Sequence, residues 1–204
     1  MQNPFIKIGE QSRISPSTPI LDSNPRQRAW IEVDPQAISF NTKQIKEHLK
    51  GKSLLMAVVK ADGYGHGAGT VAKAAIEGGA DSLGIATLQE GIELREAKVR
   101  CPILVLGNLV DAIELKTCLK WALMPTLSNI QEAYICEEIA QQNKQIFYVQ
   151  VKIDTGMTRL GCELKEAKTL INFINNSQNL MLRGIYSHLA LGDKENNDNS
   201  LDFT

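Results

Sequence analysis

The sequence has little of what marks a membrane, nucleic-acid-binding or secreted protein. No apolar run approaches the roughly 18 residues that a membrane-spanning helix needs, and the start of the chain lacks the apolar stretch of a secretory signal. The 22 basic and 23 acidic residues leave a formal net charge of -1, which gives no electrostatic basis for binding nucleic acid or an anionic membrane. We therefore expect a protein without a nucleic-acid or membrane partner.

Cysteines at metal-binding spacing are also missing. The four cysteines, Cys101, Cys118, Cys136 and Cys162, form no C-x-x-C motif, and no histidine lies at zinc-finger spacing from them. Their apolar or helical surroundings predict buried, reduced thiols, which favours a reducing compartment. The sequence thus predicts no metal site and a cytoplasmic location.

The chain divides into a leader and a domain. Residues 1–28 contain four prolines and no periodic pattern, which predicts a disordered leader outside the fold. Residues 29–204 form the predicted domain. Within it, residues 29–33 alternate like a short strand, and Asp34 followed by Pro35 predicts the start of a helix. The polar residues 192–204 are expected to form a loop that leads into a further helix.

Six apolar runs alternate with helix-like segments along the domain. Their starts lie roughly 20–35 residues apart, which is the size of a βα unit, and repeated units of this kind predict a parallel sheet with helices outside it. Capping boxes at Thr87 with Glu90 and at Ser128 with Gln131 mark the starts of two helices. The apolar runs are Leu54–Val59, Ser82–Ala86, Pro102–Leu106, Ala122–Leu127, Ile146–Ile153 and Met181–Tyr186.

Two architectures suit this alternation: a doubly wound open sheet and a (β/α)8 barrel. No G-x-G-x-x-G follows an early strand, because the glycines of residues 63–67 have the wrong spacing for a dinucleotide-binding turn. A full barrel takes about 250 residues. We therefore predict an α/β protein with an incomplete (β/α)8 TIM-type barrel. It has about six of the eight βα units and is preceded by one short strand and helix.

Three residues able to carry chemistry follow different predicted strands. Lys60 ends the first, Arg159 lies in the loop after the fifth, and His188 ends the sixth. In a barrel the carboxyl ends of the strands meet on one face, where active sites are built. A neutral lysine amine can attack an aldehyde, and the planar fork of arginine suits a carboxylate, phenolate or phosphate. Taken singly, each residue also suits a structural role: a lysine that caps a strand, an arginine in a surface ion pair and a structural histidine. His48 and His66 are weaker candidates.

The segments around these residues resemble one enzyme family. Residues 58–67, VVKADGYGHG, resemble the pyridoxal-phosphate lysine motif of bacterial alanine racemases, and residues 152–161, KIDTGMTRLG, resemble a second block of that family. Three shorter blocks, residues 30–34, 102–107 and 184–188, occur in the family's order. The resemblance runs from about residue 29 to the end of the chain.

The resemblance implies pyridoxal 5'-phosphate as the cofactor and a role for five residues. Lys60 would hold the cofactor as a Schiff base and serve as the base on one face of the substrate Cα, the one specific for D-alanine. Tyr64 would bind the cofactor phosphate, and Arg159 would contact the cofactor's phenolic oxygen and the substrate carboxylate. Lys152, carbamylated in many members, would position Arg159, and His188 would lie against the cofactor ring.

The implied activity is the interconversion of L- and D-alanine by a homodimer, an isomerase reaction that provides a peptidoglycan precursor. The family continues with two more barrel units and a β-domain that carries a tyrosine as the second base. The 204-residue chain alone is therefore expected to be inactive. Two alternatives stay open: a non-catalytic fragment or pyridoxal-phosphate-binding module, and a racemase for a related amino acid.

Overall fold

A computed structural model describes residues 31–190. The chain divides into two units, residues 1–33 and 34–204, and all the described helices and strands belong to the second. The helices are α1 (Pro35–His48), α2 (Lys60–Gly65), α3 (Ala68–Glu77), α4 (Leu88–Glu96), α5 (Ala112–Lys120), α6 (Ile130–Asn143) and α7 (Leu164–Asn176). The strands are β1 (Met56–Val58), β2 (Ser82–Ile85), β3 (Ile103–Asn108), β4 (Met124–Leu127), β5 (Phe147–Lys152) and β6 (Leu180–Tyr186).

The six described strands form one parallel sheet in the order β1-β2-β3-β4-β5-β6. A doubly wound sheet reverses its strand order part-way, whereas a (β/α)8 barrel adds each strand beside the previous one. The prediction of an incomplete barrel of about six units is therefore confirmed. Each predicted apolar run overlaps one of these strands, although β3 extends two residues beyond its run and β6 begins one residue before its run.

The core lies between the sheet and its helices. Successive strand residues point to opposite faces, so one face of each strand can be wholly apolar. Residues of that face are fully buried under the helices, and each such side chain contributes about 1.5–3 kcal/mol by its burial. They include Leu83, Ile85, Ile103, Val105, Phe147, Val149 and Val151. The opposite face includes Lys152 and Tyr186, which contribute to the site described below.

Asp34 is the N-cap of helix α1, as predicted. The Asp34 carboxylate accepts hydrogen bonds from the backbone amides of Gln36 and Ala37 at 2.9 and 3.1 Å, and Pro35 occupies the first helical position. Proline is suited to that position because the missing amide would have no partner inside the helix.

Gly78, just after α3, allows α3 to end directly against α1. A Cβ atom on Gly78 would lie 2.4 Å from the Ser39 carbonyl oxygen and 2.6 Å from the Thr42 Cβ. Thr42 is the buried residue of α1 at this contact. The two helices therefore approach more closely than any side chain at residue 78 would permit.

The short strand predicted before α1 is not found in its described part. Residues 31–33 have neither helix nor strand structure, and the side chain of Ile31 is 79% exposed. An alternating pattern forms a strand only beside a hydrogen-bonding neighbour, and no described strand pairs with these residues. Residues 29 and 30, the predicted leader 1–28 and the predicted loop 192–204 lie outside the described residues.

The capping box predicted at Ser128 and Gln131 is wrong by one residue. Asn129 is the N-cap of α6, and its side chain accepts a hydrogen bond from the Glu132 amide at 2.9 Å. The Glu132 carboxylate in turn accepts from the Ser128 amide at 2.6 Å. Asparagine caps helices as well as serine does. The Ser128 hydroxyl is engaged elsewhere, since it donates to the Asn108 side chain at 3.2 Å.

The described cysteines are all free thiols. Cys118, Cys136 and Cys162 are buried and Cys101 is half-buried, and burial raises the pKa of each thiol above its ordinary value.

None of the helices between residues 31 and 190 is long and apolar enough to cross a membrane.

Asp81, which precedes β2, gives the fold a testable pH dependence. Its carboxylate accepts a hydrogen bond from the Leu55 amide at 2.6 Å and pairs with the Lys46 ammonium, and both contacts hold the pKa of Asp81 below its ordinary value. This stabilisation is complete above the unfolded-state pKa of about 3.9 and is lost as the pH falls through the lower folded-state pKa.

We expect Asp81→Asn to lower the free energy of unfolding at pH 7 and to flatten its decline below about pH 3.9. Urea unfolding between pH 2 and 7 measures both effects. Glu47→Gln is the control, because Glu47 pairs with Lys43 at 4.0 Å on an exposed face of α1 and should change stability little. An unchanged pH slope in Asp81→Asn would contradict the expectation.

Candidate active site

One cavity at the carboxyl end of the sheet brings together all five residues that the sequence singles out. The cavity has a volume of about 420 Å³, and Lys60, Tyr64, Lys152, Arg159 and His188 all line it. Lys152 ends β5, and the other four come from the segments that follow β1, β5 and β6. The remaining lining residues are Met56, Val58, Ala86, Leu106, Gly107, Leu160, Tyr186 and Ser187.

Lys60 stands where the buried first strand reaches the cavity. Val59 before it is almost fully buried, and its amide donates to the Gly84 carbonyl of β2 at 2.8 Å. Lys60 itself is half-buried, and its Nζ lies 5.9 Å from the centre of the Tyr64 ring. The apolar strand thus anchors the backbone of Lys60 while its amine remains accessible.

The turn after Lys60 is left-handed. Ala61, Asp62, Gly63 and Tyr64 have φ values between 51° and 62°. Left-handed helical geometry costs an L-residue roughly 1–2 kcal/mol, because its Cβ crowds the following carbonyl. Three of the four residues carry a Cβ, so the surrounding contacts must hold the turn in place.

Gly63 is the glycine that packing requires in this turn. A Cβ atom there would lie 2.7 Å from the Val71 side chain of α3. The missing side chain of Gly63 therefore makes room for α3 to pack against the turn.

Side chains of the same segment stabilise the turn. Asp62 accepts a hydrogen bond from the Ala68 amide at 2.7 Å and thereby caps the start of α3. His66 places its Nδ1 3.1 and 3.0 Å from the Gly63 and Tyr64 carbonyl oxygens, so that Nδ1 donates its proton to them. His66 therefore supports the turn and is not among the residues that line the cavity.

The capping box predicted at the start of α4 is confirmed. The Thr87 hydroxyl accepts from the Glu90 amide at 3.3 Å, and the Glu90 carboxylate accepts from the Ala86 and Thr87 amides at 2.7 and 3.2 Å. Its second oxygen accepts from the Ala61 amide at 2.8 Å, a contact that the sequence did not predict. Glu90 thus joins the start of α4 to the turn after Lys60.

Lys152 ends β5 and is 6% exposed. Burial lowers the pKa of its amine, the nearby Arg159 guanidinium lowers it further, and Asp154 opposes both effects. Its Nζ lies 5.7 Å from the centre of the Tyr186 ring, opposite on β6. The environment therefore favours loss of the ammonium proton.

The loop that carries Arg159 is held by Asp154. The Asp154 carboxylate accepts from the amides of Thr158 and Gly156 at 2.9 and 3.0 Å, and these bonds keep the pKa of Asp154 below its ordinary value. At neutral pH, the Arg159 loop is therefore held by an Asp154 carboxylate that is ionised. Arg159 reaches the cavity from this fixed turn.

Tyr186 is a site residue that the sequence reading did not single out. The Thr126 hydroxyl donates to the Val105 carbonyl oxygen at 2.6 Å and accepts from the Tyr186 hydroxyl at 2.8 Å. Burial raises the pKa of Tyr186. Its position two residues before His188, in register with Lys152, is the signal that could have identified it.

His188 lies just beyond β6, on the exposed rim of the cavity. The neighbouring Ser187 hydroxyl donates to the Ile153 carbonyl at 2.9 Å and accepts from the Thr155 hydroxyl. These bonds tie the end of β6 to the start of the Arg159 loop. The structure therefore places His188 and Arg159 beside the same cavity.

A larger cavity of about 620 Å³ opens at the other end of the strands. It includes none of the predicted site residues. Arg95 on its wall donates hydrogen bonds to four backbone carbonyls, at distances between 2.7 and 3.1 Å, and so holds the surrounding loops. Within residues 31–190 there is also no group of three His, Cys, Asp or Glu side chains that could bind a metal ion.

The parallel sheet and its lysine-centred cavity define a protein of the (β/α)8-barrel class with a site at the carboxyl end of the strands. Residues 33–203 match the family model described as "Alanine racemase, N-terminal domain". The chain therefore belongs to the alanine racemase family.

Relatives and solved structures agree with this assignment. The chain is 57% identical over 188 residues to the alanine racemase of Prochlorococcus marinus, covering 92% of this chain and 49% of the relative. It is 44% identical over 171 residues to that of Synechocystis sp., covering 84% and 46%. The crystal structure of alanine racemase from E. faecalis matches with a TM-score of 0.73 and 37% identity, covering 80% of this chain and 44% of that one. The chain thus spans about half the length of the curated relatives it matches.

The residues around the cavity fit pyridoxal 5'-phosphate, the cofactor that the family implies. The lining contains two lysines, one arginine and one histidine, and none of its described members is a carboxylate. Such a set suits an anionic ligand, and a lysine amine among apolar walls suits an aldehyde.

Proposed function

We propose that the full-length protein containing this chain is a pyridoxal-phosphate-dependent alanine racemase. The observation that carries the proposal is the position of Lys60, Tyr64, Lys152, Arg159 and His188 around one cavity. The relatives named alanine racemase support the choice of substrate. Like other members of the family, the protein would act as a homodimer.

Each cavity residue has a role that its chemistry supports. Lys60 would hold the cofactor through its aldehyde, Tyr64 would donate a hydrogen bond to its phosphate, and His188 would lie against its ring. Arg159 would bind the substrate carboxylate and the cofactor's phenolic oxygen. When bound, pyridoxal phosphate withdraws electrons from the substrate Cα and makes its proton more acidic.

Lys152 is proposed to act on Arg159 as a carbamate. Only a neutral amine adds carbon dioxide, and the lowered pKa of Lys152 makes that form more accessible. The neutral amine would add carbon dioxide and release a proton, which leaves an anion next to the guanidinium, and attraction would replace the repulsion that the ammonium form exerts. Arg159 would then be fixed in the cavity.

Racemisation requires acid–base groups on both faces of the Cα. Lys60 would accept or return the proton on one face, the one specific for D-alanine. The second group is proposed to come from the part of the relatives that this chain does not match.

The test is an assay of the full-length protein with pyridoxal phosphate and L-alanine in D2O. We expect D-alanine that carries deuterium at Cα. A panel of amino acids belongs in the assay, because a histidine racemase from Leuconostoc mesenteroides matches the chain with a TM-score of 0.78 and 28% identity. Histidine turned over faster than alanine, or no turnover of alanine, would refute the proposal.

The 204-residue chain by itself is a second candidate, as a module that binds pyridoxal phosphate without racemising alanine. The observation that favours it is the coverage of only about half of each relative. The same assay tests it, together with borohydride fixation of the cofactor to Lys60. Measurable racemisation by the purified chain would show that this candidate is wrong.

We also place the protein in the cytoplasm. The free, largely buried thiols suit a reducing compartment. Fractionation of cells that produce the protein would test this placement.

A further inference from the structure

Glu90 binds two separate parts of the site through one carboxylate. One oxygen accepts from the Ala86 and Thr87 amides at 2.7 and 3.2 Å, at the end of β2. The other accepts from the Ala61 amide at 2.8 Å, directly after Lys60. Capping of α4 needs only the first set of bonds. The bond to Ala61 is additional.

The bond to Ala61 lies where the backbone most needs support. Ala61 is the first residue of the left-handed turn, with a φ of 51°. A carboxylate that accepts a backbone amide forms a charge-assisted hydrogen bond, which is about twice as strong as a neutral one. Glu90 therefore offsets part of the cost of the left-handed geometry at the residue next to Lys60.

The same bond fixes the backbone of Lys60 relative to the cavity wall. Ala86, which Glu90 also binds, lines the cavity together with Lys60. On its other side, Lys60 follows Val59, whose amide is bound to β2. Loss of the Glu90 bond would free the turn on the carboxyl side of Lys60 while leaving the strand intact.

We propose that Glu90 is a positioning residue for Lys60, because its carboxylate holds the left-handed turn that sets where the lysine amine lies in the cavity. This inference rests on the proposed function, in which Lys60 binds pyridoxal phosphate. A displacement of a reacting group by about 1 Å can cost about 100-fold in rate.

The experiment compares Glu90→Gln with two controls in the full-length protein. Glutamine has one side-chain oxygen and no charge, so it cannot keep both sets of bonds and forms no charge-assisted bond to the Ala61 amide. Thr87→Ala weakens the same helix cap without touching Ala61. Glu132→Gln alters the equivalent glutamate of α6, which caps its helix through the Ser128 amide and lies outside the cavity lining.

We expect Glu90→Gln to lower the rate of pyridoxal phosphate attachment to Lys60, read by borohydride fixation and peptide mapping, by about 10- to 100-fold. The Ala61 amide should exchange its hydrogen faster, and kcat should fall more than KM changes. Thr87→Ala and Glu132→Gln should match the wild type in all three measurements, even where they lower the melting temperature.

Equal attachment rates and equal Ala61 exchange in Glu90→Gln and wild type would overturn the inference. So would an equal loss of attachment in the two controls, because Glu90 would then act only through fold stability. Failure of the proposed function gives a different result, since the wild-type protein itself would then show no cofactor fixed to Lys60.

Discussion

Replacing Lys60 with alanine in the full-length protein should lower kcat/KM for alanine racemisation by about 1,000-fold or more. The substitution removes both the amine that would hold the cofactor aldehyde and the base on one face of the Cα. The fold should survive, because Lys60 is half-buried and its side chain makes no hydrogen bond or ion pair with another residue of the range 31–190. Activity is measured by conversion of L- to D-alanine with added pyridoxal phosphate.

Lys73→Ala is the matched control for this substitution. Lys73 is an exposed lysine on α3, outside the cavity lining, so its removal should leave activity within about twofold and stability within about 0.5 kcal/mol. Retention of activity by Lys60→Ala within a factor of ten would contradict the role proposed for Lys60.

Gly161→Ala should strongly destabilise the loop beside the site. Gly161 has a φ of 117°, a backbone conformation that costs an L-residue about 1–3 kcal/mol. Its Cβ would lie 2.7 Å from the Asp154 amide nitrogen and 2.9 Å from the Ile153 carbonyl carbon, both backbone atoms. We expect a loss of about 2–4 kcal/mol in the free energy of unfolding, since strain and overpacking act together.

Gly161→Ala should also alter the position of Arg159, because Gly161 lies at the end of the loop that carries this residue. The Lys152 carbonyl, which accepts from the Cys162 amide at 2.9 Å, would lie 3.2 Å from the added methyl. Urea unfolding and the KM for alanine measure the two consequences. Gly184→Ala is the control, since its Cβ would meet only the Gln150 side chain at 3.5 Å or beyond. Equal destabilisation by the two variants would contradict the expectation.

The parts of the fold set by local patterns were predictable. The apolar runs mark the strands because parallel strands in this sheet are covered by helices, and Lys60 ends such a run. Thr87 and Glu90 share a capping box because a residue and the third one after it meet within a single turn. The capping prediction at α6 was wrong because Ser128 and Asn129 are both good capping residues. The Ser128 hydroxyl donates to the Asn108 side chain, and this distant contact leaves Asn129 as the N-cap.

The parts set by distant contacts were not predictable. The Tyr186 hydroxyl meets Thr126 across 60 residues of sequence, and the Glu90 carboxylate meets Ala61 across 29. Both contacts depend on how elements distant in sequence pack together, which local sequence patterns do not specify. The left-handed turn after Lys60 could not be predicted, because alanine and tyrosine rarely adopt positive φ. The roles of the cavity residues and the boundary at residue 28 stay predictions.

The sequential strand order also bears on how the protein is made. Each described strand pairs with the one before it, so every βα unit can dock on its predecessor while the ribosome is still adding residues. Contacts between neighbours in sequence carry a small loop-closure cost and favour rapid folding. Lys60 is synthesised early, but the cavity around it is not closed until Tyr186 and His188 have emerged. Binding of the cofactor would therefore indicate that all six described strands have assembled.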